Sequence, residues 1–233
     1  MPATQPPKYT ISDGVNLVPI NKLAEIKVPW KRYVVIGAGK TGLDALLYLI
    51  DNNVDPAKIV WIVSNDCWYI NRTVFCCDVK KMGDVFPRLL GKEGLLGAED
   101  VNDAYEKLEA LGQFMRLDKN IWPTKMRAAT VSEEEINKIR RVGNVVRLGR
   151  IESIEKSSII FKQGDTIPTD SDTLHVDCTA AGLTFTPPNK KIFEGNRIHL
   201  YMCQVPQACT SGAMIAAVEL KYLIPQMMQY FKA

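Results

Sequence analysis

The stretch Tyr33–Gly42, YVVIGAGKTG, decides the fold class of this 233-residue chain. Its opening residues, Tyr33–Ile36, form a continuous apolar run, which is typical of a strand buried on both faces of a parallel sheet. The glycine-rich turn Gly37–Gly42 follows, and after it come an apolar helical segment, Leu43–Ile50, and a second apolar run, Ile59–Val63. This order predicts a strand–turn–helix–strand unit about 30 residues long.

The turn has the spacing G-x-G-x-x-G, the fingerprint of dinucleotide-binding Rossmann units. Gly37 permits a tight turn, Gly39 lets the backbone approach a pyrophosphate, and Gly42 lets helix and strand pack closely. The whole turn is predicted to bind the cofactor: Gly37, Ala38, Gly39, Lys40, Thr41 and Gly42. We therefore predict an α/β protein, a Rossmann-type three-layer fold with a mainly parallel sheet and a small additional β segment.

The sequence Gly39-Lys40-Thr41 also occurs in the phosphate-binding loops of nucleoside triphosphatases. That motif needs another glycine five positions before Gly39, where this chain has Val34. The spacing therefore excludes a triphosphate loop. Lys40 remains of interest because a cation in the first turn opposes the helix macrodipole unless an anion binds there. It is expected either to face a bound anion or to point into solvent.

Polar residues after the second predicted strand indicate which dinucleotide is bound. NAD-specific sites place an acidic residue about 20 positions past the glycines, where it binds the adenosine ribose. Ser64 stands there instead, and a serine does not repel a 2′-phosphate. Arg72 could pair with that phosphate, which favours NADP(H). Asp66, next to Asn65, is an alternative acidic partner for the ribose and leaves NAD as the alternative cofactor.

Composition excludes several function classes. The net charge of +3, with scattered Lys and Arg, provides no basic patch for nucleic acid. No apolar run is long enough to span a membrane, and the start of the chain lacks the pattern of a signal peptide. We expect a cytoplasmic protein that binds neither nucleic acid nor membrane. The six cysteines form no C-x-x-C pair, so we expect no metal site.

The chain divides into three predicted segments. Residues 1–30 are an extended lead-in with several prolines, residues 31–172 an NAD(P)-binding Rossmann-like domain, and residues 173–233 a closing segment. Within the second segment, Asp100–Leu111 is predicted to form an amphipathic helix, and Ser132–Glu135 is a capping box that starts another.

After Val145 the apolar pattern changes to a period of two, which predicts short strands. Thr173–Cys178 and Arg197–Met202 are the last of these, and a final helix is predicted over 213–223. His175 and Asp177 lie two apart on one strand face, where we expect the backbone to satisfy them.

These landmarks resemble, in order along nearly the whole chain, a family of FAD- and NAD(P)-dependent oxidoreductases. The family is related to flavin-containing monooxygenases and pyridine-nucleotide-disulfide oxidoreductases. Besides the fingerprint, the resembling stretches are Asp55–Arg72, Trp122–Ser132, Asn144–Glu155, Leu174–Leu183 and Met202–Glu219. The resemblance implies hydride transfer from NAD(P)H to flavin, with the redox chemistry supplied by the cofactors.

The chain departs from that family in having a single glycine fingerprint, with 36 residues before it. Family members have an earlier fingerprint for FAD, so the resemblance implies that residues 173–233 are the closing part of a split FAD domain. FAD is then expected only with a partner or with a missing N-terminal half. A flavoprotein subunit or a homo-oligomer could complete the site, the gene product could be truncated, or the flavin chemistry could have been lost.

Two functions follow from these patterns. The first is an NAD(P)H-binding protein resembling the pyridine-nucleotide domain of a flavin-dependent oxidoreductase or monooxygenase. The alternative is a non-catalytic dinucleotide-binding or regulatory module that needs a flavoprotein partner. The sequence disfavours a short-chain dehydrogenase, because none of the eight tyrosines is followed by a lysine four residues later.

Overall fold

The computed structural model describes residues 6–75 and 93–179, together with 193–194, 197–198 and residue 216. The chain forms two compact units, residues 1–180 and residues 181–233. In the second unit, β13 (Phe193–Glu194) pairs antiparallel with β14 (Arg197–Ile198). The remainder of the predicted strand Arg197–Met202 lies outside the described residues, as does the helix predicted over 213–223, apart from residue 216.

Four α-helices occur in the described part of the first unit: α1 Ile20–Leu23, α2 Lys40–Asp51, α3 Val101–Ala110 and α4 Glu133–Ile139. Asp100 caps α3 with its carboxylate, and Ser132 forms the predicted capping box with Glu135 at the start of α4. These side chains accept hydrogen bonds from first-turn N–H groups that have no partner inside the helix. The two helix starts predicted from sequence are confirmed.

The described strands of the first unit are short. They are β1 Thr10–Ile11, β2 Leu17–Pro19, β3 Arg32–Ile36, β4 Ile59–Ile62, β5 Cys67–Asn71, β6 Phe114–Met115, β7 Lys125–Val131, β8 Asn144–Val146, β9 Ile151–Ile154, β10 Ser158–Phe161, β11 Thr166–Pro168 and β12 Thr173–Asp177.

Five of the described strands form one sheet in the order β2-β12-β3-β4-β8, and every neighbouring pair in it is parallel. The central strand is β3. The chain passes from β3 to β4 and β8 on one side, then returns across β3 to β12 on the other. The predicted α/β class and mainly parallel sheet are confirmed.

Different elements cover the two faces of this sheet. One face packs with apolar side chains of α1, α2 and α4; its own residues include Tyr33, Val35, Ile59, Trp61, Leu174 and Val176. The other face packs against β9 and β10; the residues of this second core are Val34, Ile36, Val60, Ile62, Ile151, Ile154, Ile159 and Phe161. In the described residues, helices therefore cover one face and the sheet β1-β9-β10-β11 covers the other, whereas a Rossmann-type fold has helices on both.

A further three-stranded sheet, β6-β5-β7, lies in the chain between β4 and β8. The sequence analysis predicted no strand over Cys67–Asn71 or Lys125–Val131. The pairing of β5 with β7 shifts register between Trp68 and Ile70, and Ala128 has the left-handed φ of +52°. This bulge breaks the alternation of β7, which removed the sequence signal for a strand.

Two of the predicted segments, residues 1–30 and 173–233, contribute strands to the sheets of the first unit. Strands from residues 1–30 belong to both large sheets, because β1 pairs with β9 and β2 with β12. The lead-in is therefore integrated into the first unit. Thr173–Asp177, which opens the predicted closing segment, lies between β2 and β3 in the same unit. Period-two patterning identified this strand, but long-range pairing decides which sheet it joins.

Candidate functional site

The glycine-rich turn lies at the carboxyl end of the central strand β3. Gly37 has a φ of +123°, and a Cβ there would lie 3.0 Å from the carbonyl oxygen of Cys178. A Cβ at Gly42 would lie 2.0 Å from the carbonyl oxygen of Gly37, so α2 packs directly on the turn. Gly39 differs from both, because, among the described residues beyond its two chain neighbours, no atom lies within 4 Å of an added Cβ. In this part of the chain, the space beside its backbone is open.

Two buried aromatic side chains hold the carbonyl groups of the turn. The indole Nε1 of Trp61 donates to the Gly37 carbonyl at 2.9 Å, and the Tyr69 hydroxyl donates to the Ala38 carbonyl at 3.1 Å. Burial raises the pKa of Tyr69, so the hydroxyl keeps its proton as a donor. Sequence reasoning did not identify these residues, because both lie in apolar strands and only the packing shows their contacts.

The start of α2 follows the turn without a side-chain cap. Gly39 is its N-cap residue and offers no acceptor to the first-turn N–H groups. Lys40, in the first turn, forms an ion pair with Asp44 one turn later, and Thr41 beside it is half-buried. Lys40 thus has a protein partner, whereas the sequence analysis expected it to face a bound anion or to point into solvent.

The turn after β4 contains three of the predicted cofactor residues, Ser64, Asn65 and Asp66. The Asn65 amide lies 3.5 Å from the Ser64 hydroxyl. The Asp66 carboxylate binds Arg147, whose Nε lies 3.0 Å from Asp66 Oδ2 and whose Nη2 lies 3.3 Å from Oδ1. Arg147 was not predicted as a site residue. It follows β8, and its proximity to Asp66 depends on the pairing of β8 with β4.

Arg72, the last predicted cofactor residue, lies at the other end of β5 from Asp66. The five residues of β5 lie between the two, which corresponds to about 20 Å of extended chain. Arg72 Nη2 lies 2.7 Å from Glu135 Oε2, which also accepts the Ser132 N–H at 2.7 Å. Burial alone would raise the pKa of Glu135, but these two hydrogen bonds, together with the charges of Arg72 and Lys40, outweigh it and lower the pKa. The structure therefore pairs Arg72 with a helix cap.

The carboxyl end of β12 adjoins the turn through Cys178 and carries a buried acid. Asp177 is 3% exposed, and its Oδ1 accepts from the N–H and the hydroxyl of Thr179 at 3.1 and 2.7 Å. His175, two residues earlier, instead contacts the Asn16 carbonyl and the Thr169 hydroxyl, each at 2.9 Å. The two side chains therefore have separate partners.

The two described cysteines, Cys67 and Cys178, are both buried as free thiols. Burial is the main cause that raises the pKa of each, so both are protonated at neutral pH and unreactive. Among the described residues, no group of three His, Cys, Asp or Glu side chains could hold a metal ion. The other four cysteines, Cys76, Cys77, Cys203 and Cys209, lie outside the described residues.

No protein-family model matches the chain. Its relatives include uncharacterized proteins of Mycobacterium tuberculosis and Mycobacterium bovis, each 34% identical over 228 residues. These alignments cover 95% of this chain but only 41% of each relative, so the chain spans less than half the length of the curated proteins it matches. In the part that the structure describes, no helix has the length and apolar character needed to cross a membrane.

Proposed function

We propose that this chain binds NAD(P)H at the glycine turn and acts as the pyridine-nucleotide domain of a flavin-type oxidoreductase or monooxygenase. The observation that carries the proposal is the environment of Gly39. The fold itself requires glycine at Gly37, because of its positive φ, and at Gly42, where a Cβ would collide with the Gly37 carbonyl. Gly39 has an ordinary φ of −84° and, as far as the described residues extend, open space at its Cβ position, so a ligand approaching its backbone explains the glycine there.

The strand order supports this proposal. In a Rossmann-type sheet the first three strands lie side by side and the fourth lies on the other side of the first. Strands β3, β4, β8 and β12 have this arrangement. Ligands of such sheets bind outside the carboxyl ends, where the strand order reverses, and Gly37 contacts Cys178 at that point. We therefore propose a Rossmann-type three-layer fold in which a sheet replaces one helical layer.

Each part of the turn has a proposed role toward the cofactor. The N–H groups of residues 38–42 and the start of α2 would bind the pyrophosphate, because an uncapped helix start favours an anion. Ser64 and Asn65, which precede the Asp66–Arg147 ion pair, would contact the adenosine ribose. NAD(P)H, when bound, supplies a hydride. The protein residues hold and orient it, with Trp61 and Tyr69 keeping the turn carbonyls in place.

The first test is calorimetric titration of the chain with NADPH and, separately, with NADH. Saturable binding of either supports the proposal. Gly39→Val is expected to abolish binding, because the valine side chain would fill the open space. The backbone conformation at position 39 suits any residue, so the substitution should not strain the fold. Gly143→Val is the matched control, since Gly143 also has no described atom within 4 Å of an added Cβ, apart from its chain neighbours, and no positive φ. Equal affinities in wild type and Gly39→Val would disprove the site.

A second candidate function is a non-catalytic module that works with a flavoprotein partner. The described cysteines and histidine favour it, because the Cys67 and Cys178 thiols are buried and both ring nitrogens of His175 are engaged. Titration with FAD and an assay of NADPH oxidation separate the candidates. Binding of NADPH without FAD binding or NADPH oxidation supports the module. NADPH oxidation that depends on added FAD supports the enzyme.

A further inference from the structure

The Asp66–Arg147 ion pair lies at the carboxyl ends of two neighbouring strands. Ile62 of β4 is opposite Val146 of β8, so the residues that follow leave the sheet side by side. The guanidinium makes two contacts with the carboxylate, at 3.0 and 3.3 Å. The side chains of Asp66 and Arg147 are only 12% and 28% exposed. Two-point contacts of this kind are stronger and more directional than exposed ion pairs.

This ion pair changes which dinucleotide, NAD or NADP, the acid after β4 favours. An acid at this position normally favours NAD, because its carboxylate binds the ribose hydroxyls and repels a 2′-phosphate. The charge of Asp66 is compensated by Arg147. A guanidinium has five N–H donors, and the contacts in the described residues direct two of them at Asp66, while Asp118 lies 4.0 Å from Nη2. Donors therefore remain on Arg147 for a further anion.

We propose that Arg147 makes the site selective for the 2′-phosphorylated dinucleotide, by neutralising Asp66 and by donating its remaining N–H groups to the phosphate. The inference rests on the proposed function and adds a specificity-determining residue to it. Arg72, the cation suggested by the sequence, is bound to Glu135 at 2.7 Å at the start of α4. Arg147 is held at the strand end where the adenosine ribose is expected.

The experiment compares the affinities for NADPH and NADH in matched variants of the full chain, by calorimetry. Arg147→Gln is expected to weaken NADPH by about 10- to 100-fold, the loss typical of hydrogen bonds to a charged group. NADH should change by less than about threefold, because it lacks the phosphate. Asp66→Asn should bind NADPH at least as tightly as wild type, since it frees the guanidinium. Arg72→Gln is the control, because it removes a different cation, and it should leave the ratio of the NADPH and NADH affinities unchanged.

The outcomes separate the inference from the proposed function. If wild type binds neither nucleotide, both fail. If it binds and Arg147→Gln leaves the ratio unchanged, the inference alone fails. Weakened NADPH binding in Asp66→Asn as well would mean that the pair is only structural, which also overturns the inference. Thermal unfolding of each variant checks that it folds. If Arg147→Gln does not fold, Arg147→Lys, which keeps the charge, replaces it. In that variant the selectivity for NADPH over NADH should fall only in part.

Discussion

His175 is a residue whose protonation state the fold determines. Its Nδ1 faces the Asn16 carbonyl, which can only accept, so Nδ1 carries the proton and Nε2 accepts from the Thr169 hydroxyl. The side chain is 1% exposed. Burial lowers its pKa, and this outweighs the opposing effects of Asn16 and Asp170. The neutral ring joins β12 to the chain before β2 and to the loop that precedes β12.

The lowered pKa of His175 predicts that the protein loses stability in acid. The unfolded chain takes up a proton near pH 6.5, whereas the folded ring resists it. The contribution of His175 is therefore complete above about pH 6.5 and is lost as the pH falls below it, by at most about 1.4 kcal/mol per pH unit. Denaturant unfolding at about pH 7 and about pH 5.5 measures the loss.

The control for this prediction is His175→Gln. A glutamine amide has both a donor and an acceptor for Asn16 and Thr169, but it does not titrate. The free energy of unfolding of the variant should depend less on pH over the same interval. An identical pH dependence in wild type and variant would show that His175 is not the group responsible.

Residues of the candidate site were predictable only where the pattern is local. The glycine turn at Gly37, Gly39 and Gly42 was recognisable from its spacing, since that turn is formed by adjacent residues. Arg147 was not, because its contact with Asp66 depends on β8 lying beside β4. The contact between Arg72 and Glu135 joins residues that are far apart in the sequence for the same reason.

Contact between α2 and the glycine turn depends on Gly42. Replacing this residue with alanine would improve helix propensity by up to about 1 kcal/mol. The added Cβ would lie 2.0 Å from the Gly37 carbonyl oxygen, which also accepts the Trp61 hydrogen bond. We expect Gly42→Ala to lower the free energy of unfolding by about 1–3 kcal/mol, as overpacking commonly does.

Chemical denaturation measures this effect, with Gly143→Ala as control. Gly143 has open space at its Cβ position with respect to the residues that the structure describes, so its replacement should change stability by less than about 0.5 kcal/mol. A Gly42→Ala variant as stable as wild type, or more stable, would mean that the turn moves away without cost and that α2 does not depend on this contact.

Elements with local signals were predicted better than those formed by pairing. The capping box at Ser132 and the alternation of β9 and β10 are properties of adjacent residues, and both are present in the structure. Strand β7 was missed because its bulge places Ala128 at a left-handed φ. Its neighbour β5 supplies Tyr69 to the glycine turn, so the missed sheet also contributes to the site.

Ligand binding is expected to stabilise the unit that contains the glycine turn. NADPH at about 100 times its Kd would add about 2.7 kcal/mol to the free energy of unfolding. For a chain of this size that corresponds to a rise of about 5–10 °C in Tm. All four tryptophans lie between Trp30 and Trp122, so their fluorescence follows this unit. Gly39→Val should show no rise, and an equal rise in that variant would place the ligand elsewhere.

The sequence by itself determined the strand–turn–helix–strand unit around Gly37, the α/β class and the helix caps. Each depends on apolar periodicity or turn chemistry within a few residues, and these local preferences do not depend on distant segments of the chain. Only the tertiary structure decided that β2 and β12 lie beside β3, that a sheet covers one face, and that Asp66 meets Arg147. These contacts join distant segments, and their free energy comes from burial and pairing across the sheet rather than from local preference.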